Sequence, residues 1–392
     1  MIHEDINERI FIFAGEQSGD LHGSHLIKVL KDRNPTLLIE GVCGQHMRAL
    51  DVHTFLNMEE FEVMGLTDVL LALPQLYKNF YKIKDQILKT APDAVVLIDY
   101  PGFNLRLAKA LRKHGYQGKI VQYVSPSVWA WGQHRIQSME NTLDLLMIIY
   151  PFESAYFEDT TLKTTYVGNP IQEYIRNYAY DDAWQHKLGI PSTTNLIALF
   201  PGSRASEIKR NFPILLETAQ RLSKTQPSLQ FAISCPNETT KDLLSLHLAA
   251  TPTSFQNNVF QVPKQYTYEL MRDSRTAIAK SGTVMLELAL HHRPSIAIYK
   301  LTTLNRLYAK HILKLKLPYY CIVNILANHQ VFPEFIEKDL TIDSLTQQLQ
   351  VLHQEGLERT HCLEACVKLQ HILGKHNASS IAAESILEIL AC

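Results

Sequence analysis

The feature that most restricts this chain is a repeated alternation of short apolar runs with segments whose apolar residues recur at helical spacing. Runs at 10–14, 37–42, 94–99, 119–124 and 145–149 read as strands with helices between them. A second series opens with "LIALFPGSR" (196–204) and continues with strands near 229–234, 276–280 and 295–299. Helices at about 207–223, 237–248, 266–273 and 283–292 separate these. Such alternation predicts parallel sheets covered on both faces. Between the two series, 169–193 breaks the pattern with Asn169-Pro170, Asp181-Asp182 and "GIPSTTN", and reads as a hinge. The tail from about 340 reads as wholly helical. The expected fold class is α/β: two doubly wound, Rossmann-like domains facing across a cleft, with a helical C-terminal tail. The predicted boundaries are 1–170, 171–365 and 366–392, the last helices packing back on the first domain. Open sheets of this kind bind ligands beyond the carboxyl ends of their strands. A two-substrate enzyme is therefore favoured.

A length of 392 residues supplies two or three domains with real cores. Lys and Arg number 38 against 39 Asp and Glu, so no nucleic-acid partner is expected. Met1-Ile2-His3-Glu4-Asp5 lacks the basic start and apolar core of a signal peptide. No run of about 18 apolar residues is present to span a membrane, and a cytoplasmic protein is expected. Six cysteines read as reduced thiols. In "HCLEACVKLQH", His361, Cys362, Cys366 and His371 cluster, but Cys362, Cys366, Leu369 and Leu373 form one helical stripe. The C-x2-C spacing of structural zinc sites is missing, so neither metal nor cofactor is expected.

Five stretches fall where strands end. "AGEQSGDLHG" (14–23) joins a strand to a helix whose pattern is Leu21, Leu26, Ile27 and Leu30. Its glycines, Gly15 and Gly19, do not have the G-x-G-x-x-G spacing of a dinucleotide turn. "VLIDYPGFN" (96–104) ends an apolar strand at Asp99, which is either catalytic or a helix cap, since a carboxylate there is costly to bury unpaired. "YVSPSVWAW" (123–131) carries Trp129 and Trp131, each of which alone reads as core. In "PGSRASEI" (201–208), Gly202 permits a tight turn, Ser203 offers a hydroxyl and Arg204 suits phosphate oxygens. Glu207 there fits helix-dipole complementation as well. In "AKSGTVMLELAL" (279–290), Ser281, Gly282 and Thr283 stand at a helix N-terminus, which caps the helix or holds an anion such as a diphosphate. Glu287, one turn on, reaches a group beside that diphosphate, such as a ribose diol.

Taken together these stretches resemble the lipid-A-disaccharide synthase family. Gly-Glu-x-Ser-Gly-Asp (15–20), Ile-Asp-x-Pro-x-Phe-Asn (98–104), "YVSPSVWAW", "PGSR" with Glu207 and "SGT" with Glu287 occur in the family's order and similar spacing, as far as "NILANHQVFPEFIE" (324–337). The resemblance implies a GT-B fold, with donor nucleotide in the C-terminal half and acceptor toward the N-terminal half. It implies transfer from UDP-2,3-diacylglucosamine to 2,3-diacylglucosamine 1-phosphate (lipid X), inverting the anomeric centre to give a β-1,6 disaccharide. Asp99 is then the first candidate base and Glu16 the second. Arg204 and the 281–283 turn stabilise leaving UDP without a metal, Glu287 holds the ribose, and Asn324 and Arg135 are lesser candidates for substrate phosphate or sugar. The sequence departs from the family at Asn169 (usually His), Tyr100, Gly102 and 321–324, which bears on acyl-chain or sugar contacts. The rivals are other UDP-sugar GT-B proteins, namely a UDP-N-acetylglucosamine epimerase or the transferase acting on undecaprenyl-linked muramyl peptide. A non-catalytic UDP-binding sensor is the rival of a different class.

Acylated substrates require work at a bilayer surface. "EVMGLTDVLLALPQLYKNFYKIK" (62–84) supplies Val63, Met64, Leu66, Val69, Leu70, Leu71, Leu73 and Leu76, then Lys78, Lys82 and Lys84. It reads as an interfacial apolar patch with a basic flank, or as a helix packed on the sheet. The expected location is cytoplasmic and peripheral at the inner membrane. Oligomeric state stays open, a dimer being one option.

Overall fold

The computed structural model describes residues 8–61, 66–130, 132–191, 195–300 and 317–391. The chain divides into two compact units, residues 1–173 with 375–392, and residues 174–374.

Among the described residues, the first unit has seven parallel strands: β1 (Arg9–Ala14), β2 (Leu38–Cys43), β3 (His53–Asn57), β4 (Ala94–Ile98), β5 (Lys119–Tyr123), β6 (Leu145–Ile148) and β7 (Thr164–Tyr166). Their spatial order is β3-β2-β1-β4-β5-β6-β7. Side chains alternate across a strand, so each run feeds two cores. Ile10, Ile12 and Ala14 join Leu26, Ile27 and Leu30 of α1 (Gln17–Arg33) on one face. Phe11 and Phe13 pack on the other with Ile83 and Ile87 of α2 (Leu66–Thr90) and with Leu107 and Leu111 of α3 (Pro101–Lys113). Burial on both faces is why these strands read as continuous apolar runs.

The second unit is a six-stranded parallel sheet among the described residues. Its strands are β8 (Leu196–Phe200), β9 (Gln230–Cys235), β10 (Val259–Pro263), β11 (Thr276–Lys280), β12 (Ser295–Tyr299) and β13 (Glu334–Ile336), in the order β10-β9-β8-β11-β12-β13.

The stretch read as a hinge is largely built structure. Asn169 Oδ1 accepts the Ile171 N–H at 3.0 Å at the start of α4 (Pro170–Arg176). Further on, the buried Trp184 donates Nε1–H to Asp273 at 2.7 Å, and Glu269 accepts the Asp181 N–H at 2.9 Å. Both acceptors lie on α6, which follows α5 (Ala205–Thr225) and spans Thr267–Asp273. The segment after Tyr174 is thereby fixed to the second unit.

Helix α7 (Thr283–Leu290), the short α8 (Ile322–Ala327), α9 (Ile342–His353) and α10 (Leu357–Leu373) complete that unit. α10 runs unbroken through Cys366, and its Cys362, Cys366, Leu369 and Leu373 are all buried. The last helix, α11 (Ala378–Leu390), returns to the first unit, where Ala382, Ala383 and Ile386 enter the β1–α1 core. Glu173 fastens it there by accepting the Ser379 N–H at 2.8 Å.

Candidate active site

Asp99 directly follows β4 and has φ +49°; Tyr100 has φ +43° and Val124, just after β5, +71°. Residues bearing a Cβ seldom occupy this left-handed region, and each such residue costs about 1–3 kcal/mol. The buried Gln122 of β5 holds both strand ends: its Nε2 donates to the Asp99 carbonyl at 3.0 Å and to the Val124 carbonyl at 3.0 Å. The buried Asn104 amide donates to the same Asp99 carbonyl. The Asp99 side chain thus leaves the sheet on a fixed stem, and its Oδ2 accepts the Ser18 hydroxyl at 3.3 Å. Burial raises the carboxyl pKa; hydrogen bonds from the Tyr100 N–H and Ser18 work in the opposite direction.

Three residues of the opening turn have clear structural roles. A Cβ on Gly15 would lie 2.9 Å from the Tyr100 ring. Ser18 reaches Asp99. Asp20 is buried and accepts the N–H groups of Gly44, His46 and Met47 at 2.9, 2.8 and 3.1 Å, capping the turn after β2. Glu16, the second candidate base, is exposed at the head of α1. Arg135 is half-buried, and its Cδ would lie 3.3 Å from a Cβ on Gly132. Trp129 packs edge-on against Phe152 with ring centroids 5.6 Å apart, and Trp131 lies outside the described residues.

In the second unit β8 pairs with β11, Ala279 opposite Phe200, so the 201–204 and 281–283 turns leave neighbouring strands side by side. Gly202 has φ +130°, and a Cβ there would lie 2.6 Å from the Glu207 Cβ. Glu207 Oε2 accepts the Ser203 N–H at 3.0 Å, and Oε1 lies 3.1 Å from Lys280 Nζ. Burial pushes the Glu207 carboxyl pKa up, but Lys280 and the Ser203 and Arg204 N–H groups outweigh it, and the pKa ends below its ordinary value. Glu207 is therefore occupied with shaping the turn. Arg204 and Ser203 are exposed, as are Gly282 and Thr283, while Ser281 is buried.

On α7, Glu287 accepts the Tyr268 hydroxyl at 2.9 Å. Burial raises the Glu287 pKa against that hydrogen bond. His291, one turn later, donates Nδ1–H to the Glu287 carbonyl (2.7 Å) when neutral, leaving Nε2 to accept the Tyr180 hydroxyl at 2.9 Å. Asn324 differs from expectation. Its Nδ2 donates to Phe332 O and Glu334 Oε1, both at 2.7 Å, and its Oδ1 accepts the Val331 and Phe332 N–H groups. A carboxamide with two donors and two acceptor sites filled has none left for a ligand. Asn324 clamps the 320–334 loop.

In the 62–84 segment, Val63 and Met64 lie outside the described residues, as do the side chains of Leu66, Val69, Leu70 and Leu71. Leu73, Tyr77 and Tyr81, at i, i+4 and i+8 of α2, are 49, 66 and 40% exposed. Lys78 and Lys82 are exposed too, but Lys84 is buried, 2.9 Å from Asp85. Of the three lysines read as a basic flank, only Lys78 and Lys82 are exposed. Among the described residues, no helix is long and apolar enough to cross a membrane, and no group of three or more His, Cys, Asp or Glu has a metal-holding arrangement.

Two parallel-sheet Rossmann-like units and a helical tail define a GT-B protein. The crystal structure of UDP-GlcNAc 2-epimerase from Neisseria meningitidis bound to UDP-GlcNAc superposes with a TM-score of 0.67 over 97% of this chain and 100% of that one, at 12% identity. Trehalose-6-phosphate synthase (OtsA) gives 0.57 over 98% and 99%, at 10% identity. The family model described as lipid-A-disaccharide synthetase matches residues 10–389, and the chain belongs to that family. It is 38% identical to the lipid-A-disaccharide synthase of Chlamydia pneumoniae over 98% of this chain and 62% of the relative. It is 34% identical to lipid-A-disaccharide synthase 1 of Legionella pneumophila (strain Paris) over 94% of both. The chain spans about three-fifths of the length of the chlamydial relatives.

Proposed function

We propose that this chain joins UDP-2,3-diacylglucosamine to lipid X with inversion at the anomeric carbon, releasing UDP and the β-1,6-linked disaccharide 1-phosphate. Family membership across residues 10–389 carries this reading. Asp99 takes the proton of the acceptor 6-hydroxyl as that oxygen attacks the anomeric carbon; a positioned base of this kind is worth about 10²–10⁴ in rate. Its raised pKa increases the proton affinity of the carboxylate, and Ser18 orients it. The bond to the diphosphate breaks, and UDP leaves with the electron pair. Arg204 and the N–H groups at the start of α7 draw the growing charge. Glu287 holds the ribose, and Glu207 and Asn324 act through the loops they shape. Glu16 stands second to Asp99 as the base, and Arg135 is a lesser contact for substrate phosphate or sugar.

The Leu73–Tyr77–Tyr81 face of α2, with Lys78 and Lys82 beside it, suits the membrane–water boundary, where tyrosine keeps its ring in lipid and its hydroxyl in water. We place the protein at the inner-membrane surface, drawing both acylated substrates from it.

The test is whether purified protein releases UDP from UDP-diacylglucosamine only when lipid X is added. UDP release that needs no acceptor, or epimerisation of UDP-N-acetylglucosamine, would replace this reading with one of its rivals. UDP binding with no turnover of any donor would leave a sensor.

A further inference from the structure

If the 201–204 turn holds a diphosphate, as the nucleotide reading has it, the Glu207 carboxylate in that turn should repel the ligand. One of its oxygens accepts the Ser203 N–H at 3.0 Å, and the other faces the Lys280 ammonium at 3.1 Å. Lys280 ends β11, the strand next to β8, so it stands between the two turns of the second unit. A Cβ on Gly282 would lie 3.7 Å from Nζ, which puts the ammonium beside the 281–283 turn as well. Lys280 is only one-third exposed, and Glu207 15% exposed, so water screens the pair incompletely.

We infer that Lys280 is a positioning residue of this anion site: its ammonium cancels the Glu207 charge, so that the carboxylate shapes the 201–204 turn without repelling a nucleoside diphosphate. The inference rests on the nucleotide reading of the second unit. Arg204, Lys280 and Glu207 together leave one positive charge facing the ligand. Removing Lys280 alone leaves no net charge and an unpaired carboxylate near it; removing both charges of the pair restores the balance.

The experiment is a double-mutant cycle read by calorimetry at low ionic strength, with UDP and with uridine as probes. Lys280→Met is expected to weaken UDP binding about tenfold, since like charges brought together at a partly buried site cost at least that factor. Uridine, which has no phosphate, should bind all variants equally. Glu207→Gln/Lys280→Met should return to within about threefold of the wild type, because Gln still accepts the Ser203 N–H. A pair that serves only as a strap predicts the reverse: the double variant no better than Lys280→Met, and uridine affinity lost in parallel. That pattern, or unchanged UDP affinity in Lys280→Met, would overturn the inference. If Lys280→Met does not fold, the double variant decides alone, and a tenfold loss of UDP with unchanged uridine binding rejects it. Wild-type protein that binds no UDP removes the nucleotide reading itself, and the inference with it.

Discussion

Asp99 shows how a carboxylate proposed as the base is held by groups that the sequence scatters. Its left-handed backbone is kept by Gln122 and Asn104, and its carboxylate by Ser18, which is 81 residues away. Asp99→Asn is expected to lower turnover by about 10²–10⁴ with UDP affinity unchanged, since it removes the base and keeps the shape. Wild-type turnover in that variant would take Asp99 out of the chemistry. Gln122→Leu removes donors from two strained strand ends. Steady-state kinetics should show a fall in kcat larger than any rise in KM, and an unaltered kcat would mean that the strand ends hold their geometry unaided. Arg204→Ala should cost about 1.5–3 kcal/mol of UDP affinity, the range for a charge-assisted hydrogen bond. Calorimetry that shows no loss would place the diphosphate elsewhere. The turn motifs were legible as strand-end turns because their glycines and polar residues interrupt apolar runs, and the structure sets those turns at the ends of β1, β4, β5, β8 and β11. Lys280 and Tyr268 were not, because their partners, Glu207 and Glu287, lie 73 and 19 residues away and become neighbours only in the folded unit. Asn324 was readable as a polar residue in a family motif, but its saturation needed the loop around it.

At the level of elements, the central strands were readable and the outer ones were not. β3, β7, β10 and β13, which the sequence left unassigned, are the four edges of the two sheets. "HTFLN" and "TTY" have no buried residue, "VFQVP" has one and "EFI" has none, so the apolar run that marks a two-sided strand never forms. α2 was ambiguous between core and membrane because it carries both a buried and an exposed apolar face. Ile83 and Ile87 are buried in the sheet core, while Leu73, Tyr77 and Tyr81 lie on an exposed stripe. Replacing those three with Ser should release the protein from anionic vesicles in sedimentation assays without lowering its melting temperature. Wild-type binding should also weaken with salt, Lys78 and Lys82 each contributing about 1 kcal/mol. A variant that sediments like the wild type would move the contact off this face.

For the whole molecule, acid is the condition that tests the buried histidines of each unit. His22 in the first unit, and His291 and His353 in the second, are buried, and burial first of all lowers each pKa from 6.5 to about 4. Unfolding returns them to 6.5, so between pH 6.5 and 4 the unfolded chain binds protons that the folded chain refuses. Stability present above that window is lost as the pH falls through it. Glu153 works in the opposite sense: burial raises its pKa from 4.5 to about 7, so its contribution is lost as the pH rises through that range. Asp99 and Glu287, also raised by burial, act in the sense of Glu153, while the lowered carboxyl pKa values of Glu207 and Asp273 act with the histidines, their contribution being lost in acid. The sharper expectation concerns His22, which packs on Tyr123 with ring centroids 6.3 Å apart. His22→Asn removes one proton from the balance, so its stability should fall less steeply between pH 6 and 4.5, by about 1.4 kcal/mol per pH unit. Urea titrations at a series of pH values measure that slope directly. Equal slopes in variant and wild type would mean that His22 is already charged in the folded protein, and that the β1–α1 core admits more water than its packing implies.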